Sequence, residues 1–280
     1  VIDQRTLPHS LRICSLDSLE QCLRAIKEMW VRGAPLIGAT AAYGLVLAID
    51  DGMKAEDLDG VCKRLLATRP TAVNLSWALK RMRRSLMAAP ETTWQDLARR
   101  EARLICDEDV EVNQEIGRHG KNTLHDIWRA KNTKEPLRVL THCNAGWLAT
   151  VDWGTALAPV YQLHREGVPL HVWVDETRPR NQGSSLTAWE LGAEGVPHSV
   201  IVDNAGGHLM QHGLVDMCIT GTDRTTASGD VCNKIGTYLK ALAAHDNGVP
   251  FYVGLPGPTI DWTIDDGVRD IPIEQRDITE

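Results

Sequence analysis

The residues with the clearest capacity for chemistry sit where strand-like runs give way to polar loops. Residues 137–141 have strand character and pass directly into His142, Cys143 and Asn144, after which Ala145 and Gly146 leave room for another backbone or a ligand. A strand placed this way delivers a thiol to a loop, although a single cysteine is more often a small buried hydrophobe. Asp223 follows another strand-like run in Gly221-Thr222-Asp223-Arg224. It is either a general acid or base, or a structural carboxylate that pairs with Arg224 or caps a helix. Asn233-Lys234-Ile235-Gly236 opens a helical run, where free backbone amides beside Lys234 suit a phosphate. Arg32, Gly33, Ala34 and Pro35 make a turn between two helical runs, which is an anion site or, equally, a solvated connection. The loop DETRPRNQG (175–183), with Gln182 near its end, either holds sugar hydroxyls or is simply solvated.

The elements that must position these groups change character along the chain. Leu19, Cys22, Leu23, Ile26 and Trp30 recur at helical spacing behind a capping box from Ser18 to Gln21. Residues 36–49 are almost wholly small and apolar, as a core helix requires. Further helical patterns cover 56–66, 74–87 and the stretch from 93 onward, with Arg69, Pro70 and Thr71 punctuating the first two. The polar run 108–132, which contains Gly117 and Gly120, predicts a boundary between a mainly helical domain (1–132) and a second domain (133–280).

Past that boundary, strand runs at 137–141, 168–174, 198–202, 217–220 and 250–253 alternate with helical runs at 156–166, 185–192 and 234–244. This alternation predicts an α/β fold with a Rossmann-like, doubly wound parallel sheet. Its post-strand loops, at 142–146, 175–183, 203–208, 221–233 and 255–262, then share the edge where open parallel sheets bind ligands.

Composition narrows the function classes. With 43% hydrophobic and 24% charged residues the chain is an ordinary globular one, and its net charge of -7 argues against a nucleic-acid surface while leaving room for a small anionic ligand. Its seven cysteines are scattered and never spaced C-x-x-C, which predicts free thiols in a reducing, cytoplasmic setting. No apolar run reaches the roughly 18 residues of a membrane span, and no charged-then-apolar leader opens the chain. Neither a G-x-G-x-x-G after a strand, nor a P-loop, nor a G-x-S-x-G elbow occurs. His208 and His212 stand at i, i+4 without a third ligand of matching spacing, so neither a metal nor a cofactor is expected.

THCNAG (141–146), DETRPRNQG (175–183), GTDRTTASGDVCNKIGT (221–237) and RGAPLIG (32–38) together resemble the family of methylthioribose-1-phosphate isomerases, ribose-1,5-bisphosphate isomerases and regulatory subunits of a eukaryotic translation initiation exchange factor. The likeness runs from Asp3-Gln4-Arg5 to Ile271-Pro272-Ile273-Glu274. It implies a helical N-terminal domain, a Rossmann-like C-terminal domain and a homodimer. It also implies an aldose–ketose isomerase of methionine salvage that acts on a sugar phosphate without a cofactor. Cys143 and Asp223 would be the catalytic pair, with Arg32, Gly33, Ala34, Arg69, Gln182, Asn233 and Lys234 binding substrate. Thr222 stands where alanine is commoner in the family. Trp147 follows the cysteine motif where a smaller residue is often found, and is expected to be able to reshape the pocket.

Overall fold

A computed structural model of the protein describes residues 1–273. Helices α1 (Leu19–Lys27), α2 (Ala34–Asp50), α3 (Leu58–Leu66), α4 (Val73–Met87) and α5 (Trp94–Ala130) form the first part. Ser18 caps α1 by accepting from the Gln21 N–H at 3.3 Å, while the Gln21 carboxamide reaches back one residue further than predicted and accepts from the Asp17 N–H at 2.8 Å. Trp30 lies beyond the end of α1, under the Arg5 guanidinium, and does not continue the helical stripe.

The apolar α2 packs Ile37, Leu45 and Val46 against Leu75, Leu79 and Met82 of α4 and against Ala98, Ala102 and Ile105 of α5. Each large aliphatic side chain buried there stabilises the fold by roughly 1.5–3 kcal/mol. Helix α2 is thereby held with its N-terminus fixed, and that end carries the Arg32–Ala34 turn.

Most of the polar stretch 108–132 is the continuation of α5, one helix of 37 residues that ends at Ala130, just before the expected boundary at 132. Its first turns belong to the helical core, and Leu124 near its end belongs to the core under the sheet. Gly117 and Gly120 do not break it. They let it cross α6 (Ala158–Arg165) closely, since a Cβ at Gly120 would stand 2.4 Å from Pro159 Cγ.

Strands β1 (Leu137–His142), β2 (Leu170–Asp175), β3 (His198–Ile201) and β4 (Met217–Thr220) follow, joined through α6, α7 (Ala188–Ala193) and α8 (Ala205–Gln211). The segment 221–233, expected as a loop, folds back as β5 (Arg224–Thr226) and β6 (Val231–Cys232). Then come α9 (Thr237–Asp246), β7 (Phe251–Val253), β8 (Ile260–Asp261) and α10 (Gly267–Asp270). The main sheet has the order β3-β2-β1-β4-β7 with every pairing parallel, and a small sheet has the order β6-β5-β8. One face of the main sheet packs Val139 and Val172 against Val160 and Leu163 of α6, and the other packs Leu140 and Cys218 against Met210 and Ala244. The sheet is doubly wound, as predicted. Among the described residues no helix is long and apolar enough to cross a membrane.

Candidate active site

The chain leaves β1 toward β2 on one side and comes back on the other as β4. Strand order therefore reverses between β1 and β4, and the crevice beyond their carboxyl ends is where such a sheet accepts a ligand. Cys143 leaves the end of β1, and Asp223 follows β4 by three residues. A cavity of about 270 Å³ opens there, lined by Arg32, Gly33, Ala34, Arg69, Cys143, Gln182, Asp223, Asn233 and Lys234. Residues separated by as much as 202 positions (234 minus 32) thus line one cavity. A larger and more open groove of about 570 Å³ lies between α5 and the β4–β7 edge, but Glu111 and Glu115 stand in its lining and no Lys or Arg does. An anionic ligand belongs in the smaller cavity.

Arg32 and Arg224 each donate to a backbone carbonyl as well as meeting a side chain. Arg32 donates from Nη1 to Asn144 Oδ1 at 2.5 Å and from Nη2 to the Asn144 carbonyl at 2.9 Å, a two-pronged grip that ties the α2 turn to the cysteine loop. Gly33 has φ 92, and a Cβ on it would stand 2.3 Å from the Ala149 carbonyl oxygen, so the turn is closed to any other residue. Arg224 reaches away from the sheet to the Thr71 carbonyl at 2.7 Å and lies 3.6 Å from Asp261, holding the Arg69–Thr71 turn against the small sheet. Lys234 lies in the loop before α9. The helix begins only at Thr237, behind a left-handed Gly236, so Asn233 and Lys234 present a loop and not the first helical turn that was expected.

Cys143 has φ 67, a left-handed backbone rare for a residue with a side chain, and sits only partly covered at the cavity wall. Loss of water pushes its thiol above the ordinary cysteine range; Arg32 and Lys234 pull it down and Asp223 pushes it up. The free site therefore holds a neutral thiol near neutral pH. The Asp223 N–H donates to the Cys232 carbonyl at 2.9 Å, and Thr222 Oγ1 donates to the same carbonyl. The Thr222 hydroxyl thus helps hold the β5–β6 ribbon together beside Asp223. Asp223 itself is exposed and lines the cavity.

Directly behind the thiol, His142 is buried with both ring nitrogens engaged. Nδ1 lies 2.5 Å from Asp175 Oδ2 and Nε2 lies 2.7 Å from the Ile235 carbonyl oxygen. Lys240 lies 2.7 Å from the same Asp175 oxygen. His142 therefore ties the Lys234 loop to the sheet and has no nitrogen left for the Cys143 proton. The loop 175–183 is likewise ordered and not merely solvated: Glu176 accepts from the N–H groups of Thr177, Gly183 and Ser184, and Gln182 Oε1 accepts from Thr177 Oγ1 at 2.6 Å.

The chain matches the initiation factor 2 subunit family over residues 30–280. It belongs to that family. Among its relatives is the methylthioribose-1-phosphate isomerase of Rhodospirillum rubrum, 63% identical over 100% of this chain and 73% of the relative. A crystal structure of 5-methylthioribose 1-phosphate isomerase from Pyrococcus horikoshii OT3 superposes with a TM-score of 0.85 at 42% identity, covering 99% of this chain and 77% of that one. One of the translation initiation factor eIF-2B, subunit delta, from A. fulgidus has a TM-score of 0.81 at 39% identity, covering 100% and 81%. The resemblance read from the four motifs is thus to the right family.

For this member of the initiation factor 2 subunit family, the cavity also contains groups that the sequence did not single out. Arg180 and Arg224 add cations, and Met29, Ile37, Ala72, Ile271, Pro272 and Ile273 make an apolar side. Arg180, Arg224, Ile37 and Ile271-Pro272-Ile273 stood inside quoted motifs and could have been found there; Met29 and Ala72 carry no local signal, because each is ordinary in its own segment. Trp147, expected to reshape the pocket, packs edge-to-face on Trp189 with ring centroids 5.6 Å apart and is not part of the cavity wall. Among the described residues no group of three or more His, Cys, Asp or Glu could hold a metal ion. His208 and His212, with ring planes tilted by 43°, lie exposed at the end of α8 and are not among the residues lining the cavity. Glu274, the last residue of the C-terminal motif, lies outside the described residues.

Proposed function

We propose that the chain is an aldose–ketose isomerase that converts 5-methylthioribose 1-phosphate to 5-methylthioribulose 1-phosphate, a step of methionine salvage. What supports this above all is a single cavity that gathers a thiol, a carboxylate and several cations beside an apolar side. The high identity to a relative named for that isomerase agrees with it. In this proposal Arg32, Arg69 and Lys234, with the amides of Gly33 and Ala34, take the phosphate, Gln182 and Asn233 take hydroxyls, and the apolar residues take the 5-substituent.

An aldose 1-phosphate is a cyclic acetal, so a proton must reach its ring oxygen before the C1–O bond can break. Asp223 is the donor, and the substrate itself would cover this exposed carboxyl and raise its proton affinity. A hydrogen then moves from C2 to C1 while the C2 hydroxyl loses its proton and becomes the ketone. In a proton route Cys143 is the base at C2; in a hydride route it stabilises developing charge. A thiol pushed upward by burial favours the hydride route, which requires no thiolate. Product formed in heavy water should then carry no deuterium at C1, and incorporation would select the proton route.

The functional test is turnover. Methylthioribose 1-phosphate should be converted faster than ribose 1,5-bisphosphate, and the reverse order would move the chain to the bisphosphate branch. Asp223→Asn and Cys143→Ser should each lower kcat by about 10²- to 10⁴-fold while calorimetry finds substrate binding within a few fold. Near-parental turnover in both would place the catalytic groups elsewhere.

Three further points belong to the same proposal. The chain divides near residue 132, with α5 bracing both parts. It works as a homodimer, for which the exposed apolar stripe Ile235, Tyr238, Leu239 and Leu242 on and before α9 offers a surface; sedimentation giving a monomer at micromolar concentration would refute this. It acts in the cytoplasm, in keeping with free cysteines throughout the described chain.

A further inference from the structure

The grip on Arg32 comes from inside the sheet domain. Glu190 of α7 is completely buried. Its Oε1 accepts from the Leu148 N–H at 2.6 Å and from Asn144 Nδ2 at 3.2 Å, and its Oε2 accepts from the Tyr161 hydroxyl at 2.8 Å. The seat exists because residue 146 is glycine: a Cβ there would stand 1.6 Å from Glu190 Oε2. Thr187, one turn earlier, accepts from Asn144 Nδ2 at 3.2 Å and donates to the Cys143 carbonyl at 2.6 Å.

These bonds decide which way the Asn144 amide points. Its NH₂ faces a carboxylate and a hydroxyl, so its oxygen must face the other way, where Arg32 Nη1 donates to it at 2.5 Å. Were the amide turned over, its oxygen would meet the Glu190 carboxylate and its NH₂ would meet the guanidinium, with both contacts repulsive. A carboxylate is costly in this place: burial pushes Glu190 up to about 7, against the opposing pull of Tyr161, Leu148, Asn144 and Arg32. A well-packed apolar side chain would serve the core as well.

We propose that Glu190 is a positioning residue for substrate binding: acting through Asn144, it aims the Arg32 guanidinium into the cavity and so sets the affinity of the site for a phosphate monoester. The inference deepens the sugar-phosphate reading of the cavity and rests on it. Glu190 touches no substrate.

Glu190→Met fills the same seat without an acceptor and so releases the orientation of Asn144, whereas Glu190→Gln would keep an oxygen where the Leu148 N–H and Asn144 Nδ2 donate. Binding of inorganic phosphate, measured by calorimetry, should weaken about tenfold, the equivalent of one charge-assisted hydrogen bond. KM for 5-methylthioribose 1-phosphate should rise in parallel, with kcat changed less than about threefold. In an Arg32→Ala background the same change should add nothing to the phosphate dissociation constant. The proposal is overturned by unchanged phosphate affinity, by a fall in kcat at constant affinity, or by an effect of full size in the Arg32→Ala background. Should Glu190→Met fail to fold, Tyr161→Phe removes one donor and leaves the carboxylate; it should weaken phosphate binding a few fold through Arg32, and no weakening would equally overturn the proposal. Because the phosphate measurement needs no turnover, a chain that binds phosphate in this pattern without isomerising the sugar would refute the isomerase alone.

Discussion

Glu190 makes a prediction about stability that needs no substrate. Burial raises its carboxyl from the ordinary 4.5 to about 7, against opposing donors on Tyr161, Leu148 and Asn144 and the charge of Arg32. Between those values the folded chain keeps a proton that the unfolded chain has lost. The contribution to stability is therefore fully present below about 4.5 and is lost as pH rises through about 7. Integrated from about pH 5 to pH 8, the loss is about 2.5 kcal/mol. Glu190→Gln cannot titrate and leaves the other groups in place. The parent and the variant should differ little at the acid end, where both side chains are neutral, and the variant should gain about 2.5 kcal/mol relative to the parent by the alkaline end. Urea unfolding followed by tryptophan fluorescence at matched ionic strength measures both curves. Parallel curves would refute the reasoning, and a relative loss by the variant would mean that Arg32 and the donors outweigh burial. A charge that destabilises the protein at its working pH is the expected signature of a residue kept for its effect on the site.

Other outcomes follow from the same geometry. Alkylation of Cys143 by iodoacetamide should rise with pH to a midpoint above that of an ordinary thiol, and inorganic phosphate should slow it; a midpoint at or below the ordinary value would show that Arg32 and Lys234 outweigh burial. Arg224→Met removes the bond to the Thr71 carbonyl and frees the turn that carries Arg69. It should raise KM several fold more than it lowers kcat, and kinetics with KM unchanged would separate that turn from the substrate site. Gly33→Ala combines a left-handed backbone with a Cβ 2.3 Å from a carbonyl oxygen and should lower the unfolding midpoint, by about 2 kcal/mol or more in stability; a thermal scan equal to the parent would refute the close approach. Dialysis against a chelator should leave the isomerase rate unchanged, and a rate restored only by a divalent metal would require a ligand set not recognised among these residues.

The amino-acid sequence by itself determined the helices of the first part and the strands of the second, because hydrophobic period and stop signals are local. It also determined that the loops after β1 and β4 lie on one edge, since parallel strands leave no other arrangement. Cys143, Asp223, Arg32 and Lys234 were legible as candidates for the same reason: each stands at the end of an element whose type could be read. Three kinds of feature were decided only in three dimensions. The polar run before β1 reads as a boundary, and its sequence does not show that α5 fills most of it and meets α6 at Gly117 and Gly120, a contact between segments some 40 residues apart (159 minus 120 is 39). The β5–β6 ribbon has strands too short to show a period and is held by pairing with β8. Glu190 sits in an ordinary helical run, and nothing near it in the chain reveals that Asn144, Tyr161 and Leu148 converge on its carboxylate. Periodicity reports which face of an element is buried; it does not report what a buried polar group meets there, because that partner comes from a distant part of the chain.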